Sequence, residues 1–521
     1  MRATRGKVPA VTGLPVSRRS FLAGAGAWLG TRPLFAQAAD PSKSVTVSLF
    51  HTTDIHGHIV PTKTYDGMEN VGGFARCATQ IRRWRRESPH SLTLDIGDVY
   101  QGTAEGLLHQ GNLMMKLFNR VGYDAWTLGN HDFDWGREAL ESNLALSAPP
   151  VLTGNLKVDG RAAGELDGPW KKVAPWMMKD CGGFRIALVG LITPGLPYWL
   201  ADETLAGAVV QDPAQALQRS IAEARDAKAD AVVVMAHMGW RSGDDFANPL
   251  HEILAAAPGV DVLLAGHTHQ VKPSWTIGNV LCSQAAYHGI HCGRLDLTFD
   301  PETRKLIDRR AATVFMDDSF DLDPAVMETA EPDLKTAAEQ LARKVAVVKS
   351  KIDGSGRRND LARLFCEIFA DSLKRAGTPV DGVFHGSFGT GDLIPGELTV
   401  GDCWTLLPYE NLLGTARLGA KDLIEIARED QGNYRSDRTL WPFDLKLGRG
   451  GEVLTFEKDG EPVPEDAIYT IAFNSYDMQS GGQSLMRLRE IVSQPGAARK
   501  LTSIDTRGAL IDGLLERGTI G

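Results

Sequence analysis

The stretch Gly129-Asn130-His131-Asp132-Phe133-Asp134 decides how this chain folds and what it does. An amide, an imidazole and two carboxylates follow the short apolar segment 124–128 there, and such a set is seldom placed for packing. Four further polar segments with side chains able to bind metal lie between residues 54 and 269. They are Asp54-Ile55-His56, Gly97-Asp98, His237 and Gly266-His267-Thr268-His269.

Most of these segments follow an apolar run of strand length. Residues 45–50 and 91–96 read as strands that end at two of them, and the basic amphipathic segment 75–87 between the strands reads as a helix. Similar apolar runs end near His237 and Gly266, with helical segments between several of them. This alternation predicts an α/β layered fold with the chemistry at the ends of strands.

The length of 521 residues predicts two or three domains. We expect a first domain over residues 45–318, a charged connecting helix over 319–352 and a smaller α/β domain over 353–521. None of the six cysteines forms a C-x-x-C pair. Cys282 and Cys292 could be bridged in an oxidising compartment, and buried free thiols are the favoured alternative.

Residues 1–38 read as an export signal. Ser17-Arg18-Arg19-Ser20-Phe21-Leu22 is a twin-arginine signature, and Ala36-Gln37-Ala38 offers a cleavage site. We therefore expect use of the twin-arginine machinery and a periplasmic or otherwise exported protein. Beyond the leader, no run of about 18 apolar residues predicts a membrane span.

The leader holds six basic residues and no acidic one, so its removal takes the formal charge from −9 to −15. Nucleic-acid polymers are bound mainly by Lys and Arg on their phosphates, so an acidic protein is a poor candidate for that function. Small anionic substrates stay possible if bound metal ions supply positive charge.

The polar segments together suit a pair of metal ions. A two-metal hydrolase needs one anionic ligand shared by both ions, and Asp98, at a strand end before a turn, is the candidate bridge. A mixture of carboxylate, imidazole and amide ligands suits Mn, Zn, Fe or Co better than Ca or Mg. The other candidates are Asp54, His56 and His269 for one ion and Asn130, His237 and His267 for the other.

His131 and Asp134 are the candidate catalytic pair. Three residues apart on a tight turn, the carboxylate can bond one imidazole nitrogen and raise its basicity. A protonated His131 would then stabilise phosphoryl charge or protonate the leaving alkoxide. The alternative is Asp134 as the N-cap of a helix that begins near Trp135.

These motifs resemble those of the calcineurin-like metallophosphoesterases, and more narrowly of the bacterial periplasmic 5′-nucleotidase and 2′,3′-cyclic-nucleotide phosphodiesterase family. The resemblance extends over about residues 45–521. It implies an N-terminal four-layer αββα sandwich with two metals, and a C-terminal domain that holds the nucleoside base between two aromatic rings. From the segments 407–411 and 474–476, it implies substrate contacts by Tyr409, Asn411 and Tyr476.

Two segments depart from the family pattern. The family's N-G-G-G-I-R reads here as 385–390, so Thr390 stands where the family has a substrate-binding arginine, and its G-G-D-G reads as 481–484. Both departures weaken the expectation of ordinary nucleoside monophosphates as substrates. Arg363 lies where some relatives place a phosphate or carboxylate contact and could compensate, although a solvated helix arginine explains it as well.

The resulting hypothesis is a dinuclear-metal hydrolase of exported nucleotides, related phosphomonoesters or cyclic phosphodiesters, acting by direct attack of a metal-bound hydroxide. One alternative is the sulfur-oxidation sulfohydrolase branch of the same superfamily, whose corresponding loop normally lacks the acid that this chain keeps as Asp134. The other is a non-catalytic periplasmic anion-binding protein, against which the complete ligand set argues.

Overall fold

The computed structural model describes residues 44–354, 359–387, 389, 391–433 and 436–521. The predicted export signal at 1–38 and the substituted position Thr390 lie outside the described residues. Residues 45–521 form one unit. Within the described ranges, no helix has both the length and the apolar character needed to cross a membrane.

A seven-stranded sheet carries the first two candidate segments. Its central strand Val45–Thr52 lies parallel to Ser91–Asp95 on one side and antiparallel to His291–Phe299 on the other. Three short parallel strands extend the sheet beyond Ser91–Asp95. The spatial order is Leu306–Phe315, His291–Phe299, Val45–Thr52, Ser91–Asp95, Ala125–Trp126, Val151–Leu152 and Val173–Ala174.

A six-stranded sheet carries the candidate segments at His237 and at residues 266–269, whereas residues 129–134 follow the strand Ala125–Trp126 of the seven-stranded sheet. Four neighbouring strands are parallel, and an antiparallel strand closes each edge. The spatial order is Trp176–Cys181, Phe184–Ile192, Ala231–His237, Val262–Ala265, Val280–Ala285 and Val271–Ile277.

The two sheets pack face to face, with helices on both outer faces. All residues of the strand Ala231–His237 are buried, which explains why every residue before the terminal His237 is apolar. Val233 joins the core between the sheets, whereas Val232 and Val234 join the core under the outer helices. This confirms the predicted αββα sandwich. Its helices are Phe74–Glu87, Ala104–Leu108, Asn112–Val121, Gly136–Leu146, Asp202–Leu205, Pro213–Asp226, Leu250–Ala256 and Pro324–Leu341.

The predicted connecting helix over 319–352 is wrong in its length. The helix spans only Pro324–Leu341, and Asp323 caps it by accepting hydrogen bonds from the first-turn backbone. The chain then forms the strand Lys344–Val348, which pairs with Gly396–Thr399. Its run of β-branched valines favours a strand, and the charged, helix-like spacing of the preceding residues concealed that change.

The second domain is built on a five-stranded mixed sheet, as the predicted smaller α/β domain requires. Its central strands Leu412–Gly419 and Ile468–Asn474 are antiparallel, with Leu413 opposite Asn474. That register brings the two segments with candidate aromatic rings to the same end of the sheet. The other strands of this sheet are Thr439–Trp441, Gly382–His385 and Lys500–Asp505. The helices are Asp360–Arg375, Val400–Leu406, Ala420–Gly432, Ser475–Met478, Met486–Val492 and Thr506–Arg517.

Four smaller sheets complete the strands. The hairpin Thr62–Lys63 and Glu69–Val71 lies near the candidate site, as described below. The others are Ala208–Val210 with Leu156–Val158 and Arg161–Ala162; Gly396–Thr399 with Lys344–Val348 and Thr519–Ile520; and Phe443–Leu447 with Val453–Lys458 and Glu461–Pro462.

All six cysteines are buried free thiols. Cys282 belongs to the core under the outer helices of the six-stranded sheet, and Cys292 belongs to the core behind the seven-stranded sheet. The two thiols therefore belong to different layers. Both are free, so Cys282 and Cys292 are not bridged.

Candidate functional site

The loops at the carboxyl ends of the parallel strands converge at one place. Asp54 follows Val45–Thr52, Asp98 follows Ser91–Asp95, and His237 ends its own strand. Backbone hydrogen bonds join these loops: Asp54 N–H donates to Gly97 O at 2.9 Å, and His56 N–H donates to Asp98 O at 2.9 Å. The loops thus form one framework, although their sequence positions are far apart.

Six of the seven predicted ligands form two groups in which the ligand atoms lie within 4.8 Å of one another. Asp98 Oδ2 lies 3.1 Å from His237 Nε2 and 3.7 Å from His56 Nε2, so its carboxylate faces both groups. The geometry therefore fits Asp98 as a shared ligand. The groups are Asp54, His56 and His269, and Asp98, His237 and His267.

Most of the candidate ligands have strained backbones. Five of them have φ between 50° and 70°, in the left-handed region that side-chain-bearing residues rarely adopt. Such a conformation costs on the order of 1–3 kcal/mol and persists where the surroundings impose it, typically at functional sites. The five are Asp54, His56, Asp98, His267 and His269.

Asp132 fastens the loop of Asp98 to the loop of Asn130. Its buried carboxylate accepts backbone hydrogen bonds from Gly129 at 2.8 Å, Val99 at 2.9 Å and Asp98 at 3.1 Å. Gly129 has to be glycine because a Cβ there would lie 2.2 Å from Asp98 Oδ1. Asp132 belongs to the motif Gly129–Asp134, but its role could not be predicted because a motif does not reveal which backbone donors a carboxylate meets.

The electrostatics favour the protonation states that metal ligands need. Burial acts to raise the pKa of Asp98, but His237 and His131 outweigh it and hold the pKa well below its ordinary value. Burial lowers the pKa of His56 to about 4 and that of His267 to about 3, so both imidazoles are neutral at pH 7. A carboxylate and neutral imidazoles are the ligand forms of these side chains.

The residues present fit a bound metal pair. Asn130 Oδ1 is buried and has no hydrogen-bond partner within the described residues. His237 Nε2 is also buried, and its 3.1 Å contact with Asp98 Oδ2 is not directed as a hydrogen bond. Such atoms carry a desolvation cost unless something binds them. Burial also acts to lower the pKa of His237, yet the Asp98 carboxylate raises it to about 9 when no cation neutralises that carboxylate. A cation between these groups would satisfy all three side chains.

His131 and Asp134 form a hydrogen-bonded pair. His131 Nδ1 lies 2.7 Å from Asp134 Oδ2, and the ring lies 5.2 Å from that of His56. Burial acts to lower the pKa of His131, but Asp134 and Asp98 raise it well above its ordinary value. The cap of the following helix is Trp135, so Asp134 is not the N-cap of the alternative interpretation.

The second domain places its candidate contacts above this centre. The Tyr409 ring stacks on His131 with centroids 5.5 Å apart and planes 11° apart. Asn411 Oδ1 accepts a 3.5 Å hydrogen bond from Ser475, next to Tyr476, so these two segments meet. Arg363 is exposed on the helix Asp360–Arg375, as a solvated arginine would be.

Sequence reasoning missed three side chains at this centre. Trp199 packs on His267 with ring centroids 5.1 Å apart, and Tyr65 Oη lies 2.7 Å from His269 Nδ1. Glu410 accepts a 3.0 Å hydrogen bond from Gln101 of the first domain and pairs with the buried Arg507. None of the three belongs to a ligand motif. Only Glu410 could have been found from the sequence, because it lies inside the segment 407–411 that resembles the family.

Comparison with known families agrees with this geometry. Residues 47–271 match the calcineurin-like phosphoesterase family, and residues 344–490 match the 5′-nucleotidase C-terminal domain family. A protein named probable 5′-nucleotidase from Treponema pallidum is 26% identical, with 90% of this chain and 91% of that protein covered.

Two solved structures share the fold. A 5′-nucleotidase precursor from Thermus thermophilus covers 91% of this chain and 97% of its own, with a TM-score of 0.68 and 23% identity. A sulfate thiohydrolase from Thermus thermophilus covers 91% and 94%, with a TM-score of 0.60 and 18% identity. At these sequence identities the two structures are evidence for the fold only. With both family matches in chain order, the chain belongs to the calcineurin-like phosphoesterases that carry a 5′-nucleotidase C-terminal domain, and it is a phosphoester hydrolase.

Proposed function

We propose that the protein hydrolyses exported nucleotides, or closely related phosphomonoesters and cyclic phosphodiesters, at a centre of two divalent metal ions. The observation that carries this proposal is the pair of three-ligand groups that share the Asp98 carboxylate. The proposed ligands are Asp54, His56 and His269 for one ion, Asn130, His237 and His267 for the other, and Asp98 for both.

The metal ions would be Mn, Zn, Fe or Co, because the donors are carboxylates, imidazoles and one amide, with no thiolate. When bound, such a pair supplies positive charge to the phosphoryl oxygens and lowers the pKa of water toward neutrality. The reaction we propose is displacement at phosphorus by water, without a covalent enzyme intermediate.

His131 would hold and move the proton of this reaction. Its Nδ1 is occupied by Asp134, so Nε2 is the atom left to meet the substrate. The positive charge that Asp134 stabilises on the imidazole would bind a phosphoryl oxygen, and the proton on Nε2 would pass to the leaving alkoxide. Tyr409 covers this imidazole and would limit its contact with bulk water.

The sulfohydrolase alternative is less well supported. The similar fold of the sulfate thiohydrolase does not separate the two reactions, because both belong to one superfamily. The hydrogen bond of Asp134 to His131 favours the phosphoesterase, since that acid is the position at which the sulfohydrolase loop differs. Release of sulfate from a carrier-bound cysteine persulfide, with no release of phosphate from nucleotides, would reverse this assignment.

The metal part of the proposal is tested with purified protein, manganese and a chromogenic phosphoester. Asp98→Asn should lose metal retention and phosphate release together. His131→Ala should retain metal and lose about 10²- to 10⁴-fold in turnover, the range expected of a proton-transfer group. His251→Ala, an exposed histidine paired with Asp244, is the matched control and should behave as wild type. Unchanged turnover in His131→Ala would remove His131 from the reaction.

The substrate class is tested by comparing a nucleotide with p-nitrophenyl phosphate. We expect Tyr409→Ala and Tyr476→Ala to raise KM for the nucleotide by about 5- to 150-fold, because stacking on a base is worth about 1–3 kcal/mol. The KM for p-nitrophenyl phosphate, which has no base, should change much less. Equal effects on both substrates would reject these rings as a base-binding site, and a screen of cyclic nucleotides and sugar phosphates would follow.

A further inference from the structure

The hydrogen bonds behind the candidate metal ligands are not alike. In each bonded histidine, Nε2 faces the centre, so Nδ1 is the atom that its surroundings can hold. His56 Nδ1 lies 2.8 Å from the backbone oxygen of Gln101, and His237 Nδ1 lies 2.6 Å from that of Ile96. Both partners are buried main-chain oxygens, which only a rearrangement of the loops can move.

His269 differs, because its Nδ1 is held by a side chain. The partner is the phenol oxygen of Tyr65 at 2.7 Å, and Tyr65 is 69% exposed. Tyr65 lies in the turn of the hairpin that the strands Thr62–Lys63 and Glu69–Val71 form, outside the two large sheets. Tyr65 therefore reaches a candidate metal ligand from a turn outside the two large sheets.

Several contacts hold the Tyr65 ring in place. Its backbone N–H donates a 3.0 Å hydrogen bond to Tyr287 Oη, and its ring stacks on the Tyr287 ring at 4.2 Å with planes 10° apart. The Tyr287 ring also stacks on His269 at 5.2 Å. The turn itself is closed by a 2.8 Å backbone bond from Thr64 N–H to Met68 O. The phenol is therefore preorganised, despite its exposure.

We infer that Tyr65 is a positioning residue for the metal ion bound by Asp54, His56 and His269. This inference rests on the metal pair of the proposed function and adds to it the group that orients one ligand. When Nε2 of His269, which lies 3.3 Å from Asp54 Oδ1, gives its lone pair to the ion, Nδ1 has to carry the hydrogen and can donate it to the Tyr65 oxygen. The bond selects the tautomer and the ring orientation that a metal needs.

The difference in partners has a consequence for the two ions. The other bonded ligands are oriented by the main chain, whereas His269 depends on one phenol oxygen that a single substitution removes. The ion at Asp54, His56 and His269 should therefore be the one whose affinity responds to Tyr65. Among the described residues, Asp98, His237 and His267 make no hydrogen bond, ion pair or ring contact with this hairpin, so the ion that they would hold should keep its affinity.

Tyr65→Phe in the full chain tests the inference, because it keeps the ring stack and removes only the oxygen. Metal-free protein is titrated with manganese by calorimetry, and manganese per chain is counted after dialysis. We expect two ions in wild type, and in Tyr65→Phe one ion of unchanged affinity and one weakened about 10- to 100-fold. The electron paramagnetic resonance spectrum should change from that of a coupled pair to that of a single ion. Tyr469→Phe, the same chemical change in the second domain, should match wild type.

Two results would overturn the inference. One is a Tyr65→Phe protein that binds both ions with wild-type affinity, even if its KM for substrate rises, because Tyr65 would then contact substrate and not orient His269. The other is weakening of both sites with a lower urea midpoint of the metal-free protein, which would indicate a folding role. Wild type that binds two ions without hydrolysing nucleotides would reject the proposed function and leave this inference standing.

Discussion

Asp132→Asn should destabilise the first domain, because one carboxylate serves three backbone donors. Oδ2 accepts from Gly129 and Asp98, and Oδ1 accepts from Val99. The amide of asparagine has one oxygen, so its NH₂ group would face at least one backbone N–H. A buried donor left unpaired costs about 1–3 kcal/mol. Burial raises the pKa of Asp132 to about 7, so above that pH the remaining bonds also lose the strength that a charged acceptor gives. We expect a loss on the order of 2–4 kcal/mol.

The assay is urea unfolding of the metal-free protein, so that bound ions do not stabilise the folded state. Asp134→Asn is the matched control, since it changes the same chemical group two residues away. The only hydrogen bond described for the Asp134 carboxylate is to His131, and an asparagine oxygen can still accept it, so Asp134→Asn should lose less stability than Asp132→Asn. Its turnover, in contrast, should fall, because the imidazole loses its charged partner.

An Asp132→Asn protein whose free energy of unfolding lies within about 0.5 kcal/mol of wild type, the range of surface substitutions, would contradict this role of Asp132. A lower stability of Asp134→Asn than of Asp132→Asn would contradict it as well. A stable Asp132→Asn protein would mean that other contacts hold the two ligand loops in their strained conformations.

Two further predictions concern contacts away from the ligands. Gln101→Leu removes the side-chain hydrogen bond that holds Glu410 of the second domain against the first domain, and it keeps the backbone oxygen of residue 101. We expect KM for a nucleotide to rise about 10-fold, as for a lost hydrogen bond to a charged group. An unchanged KM in steady-state kinetics would contradict a role of this bond in holding the domains together. Asp323→Ala removes the cap of the helix Pro324–Leu341 together with the ion pair to Arg82, and it should lower the free energy of unfolding in urea by about 1–2 kcal/mol. An unchanged free energy of unfolding would show that neither contact contributes to stability.

Much of the first domain could be predicted because its signals are local. A buried parallel strand has to be apolar over its whole length, and Ala231–His237 has that pattern and ends in a ligand. The pairing of His131 with Asp134 could be predicted for the same reason, since three residues on a tight turn set the distance between the two side chains. The prediction of a helix over 319–352 was wrong beyond Leu341. The residues there keep a helical periodicity, but they pair as a strand with the distant strand Gly396–Thr399.

The local sequence was thus enough to predict the layered α/β class, the two-domain order, the candidate ligands and Asp98 as the ligand shared by both groups. The folded structure was needed to show that Asp132 ties two loops together and that Trp199, Tyr65 and Glu410 also lie at the centre. Each of these is a contact between segments brought together by packing of sheets or loops. Spacing along the chain holds no information about such contacts, because the energy that selects them comes from the folded arrangement and not from neighbouring residues.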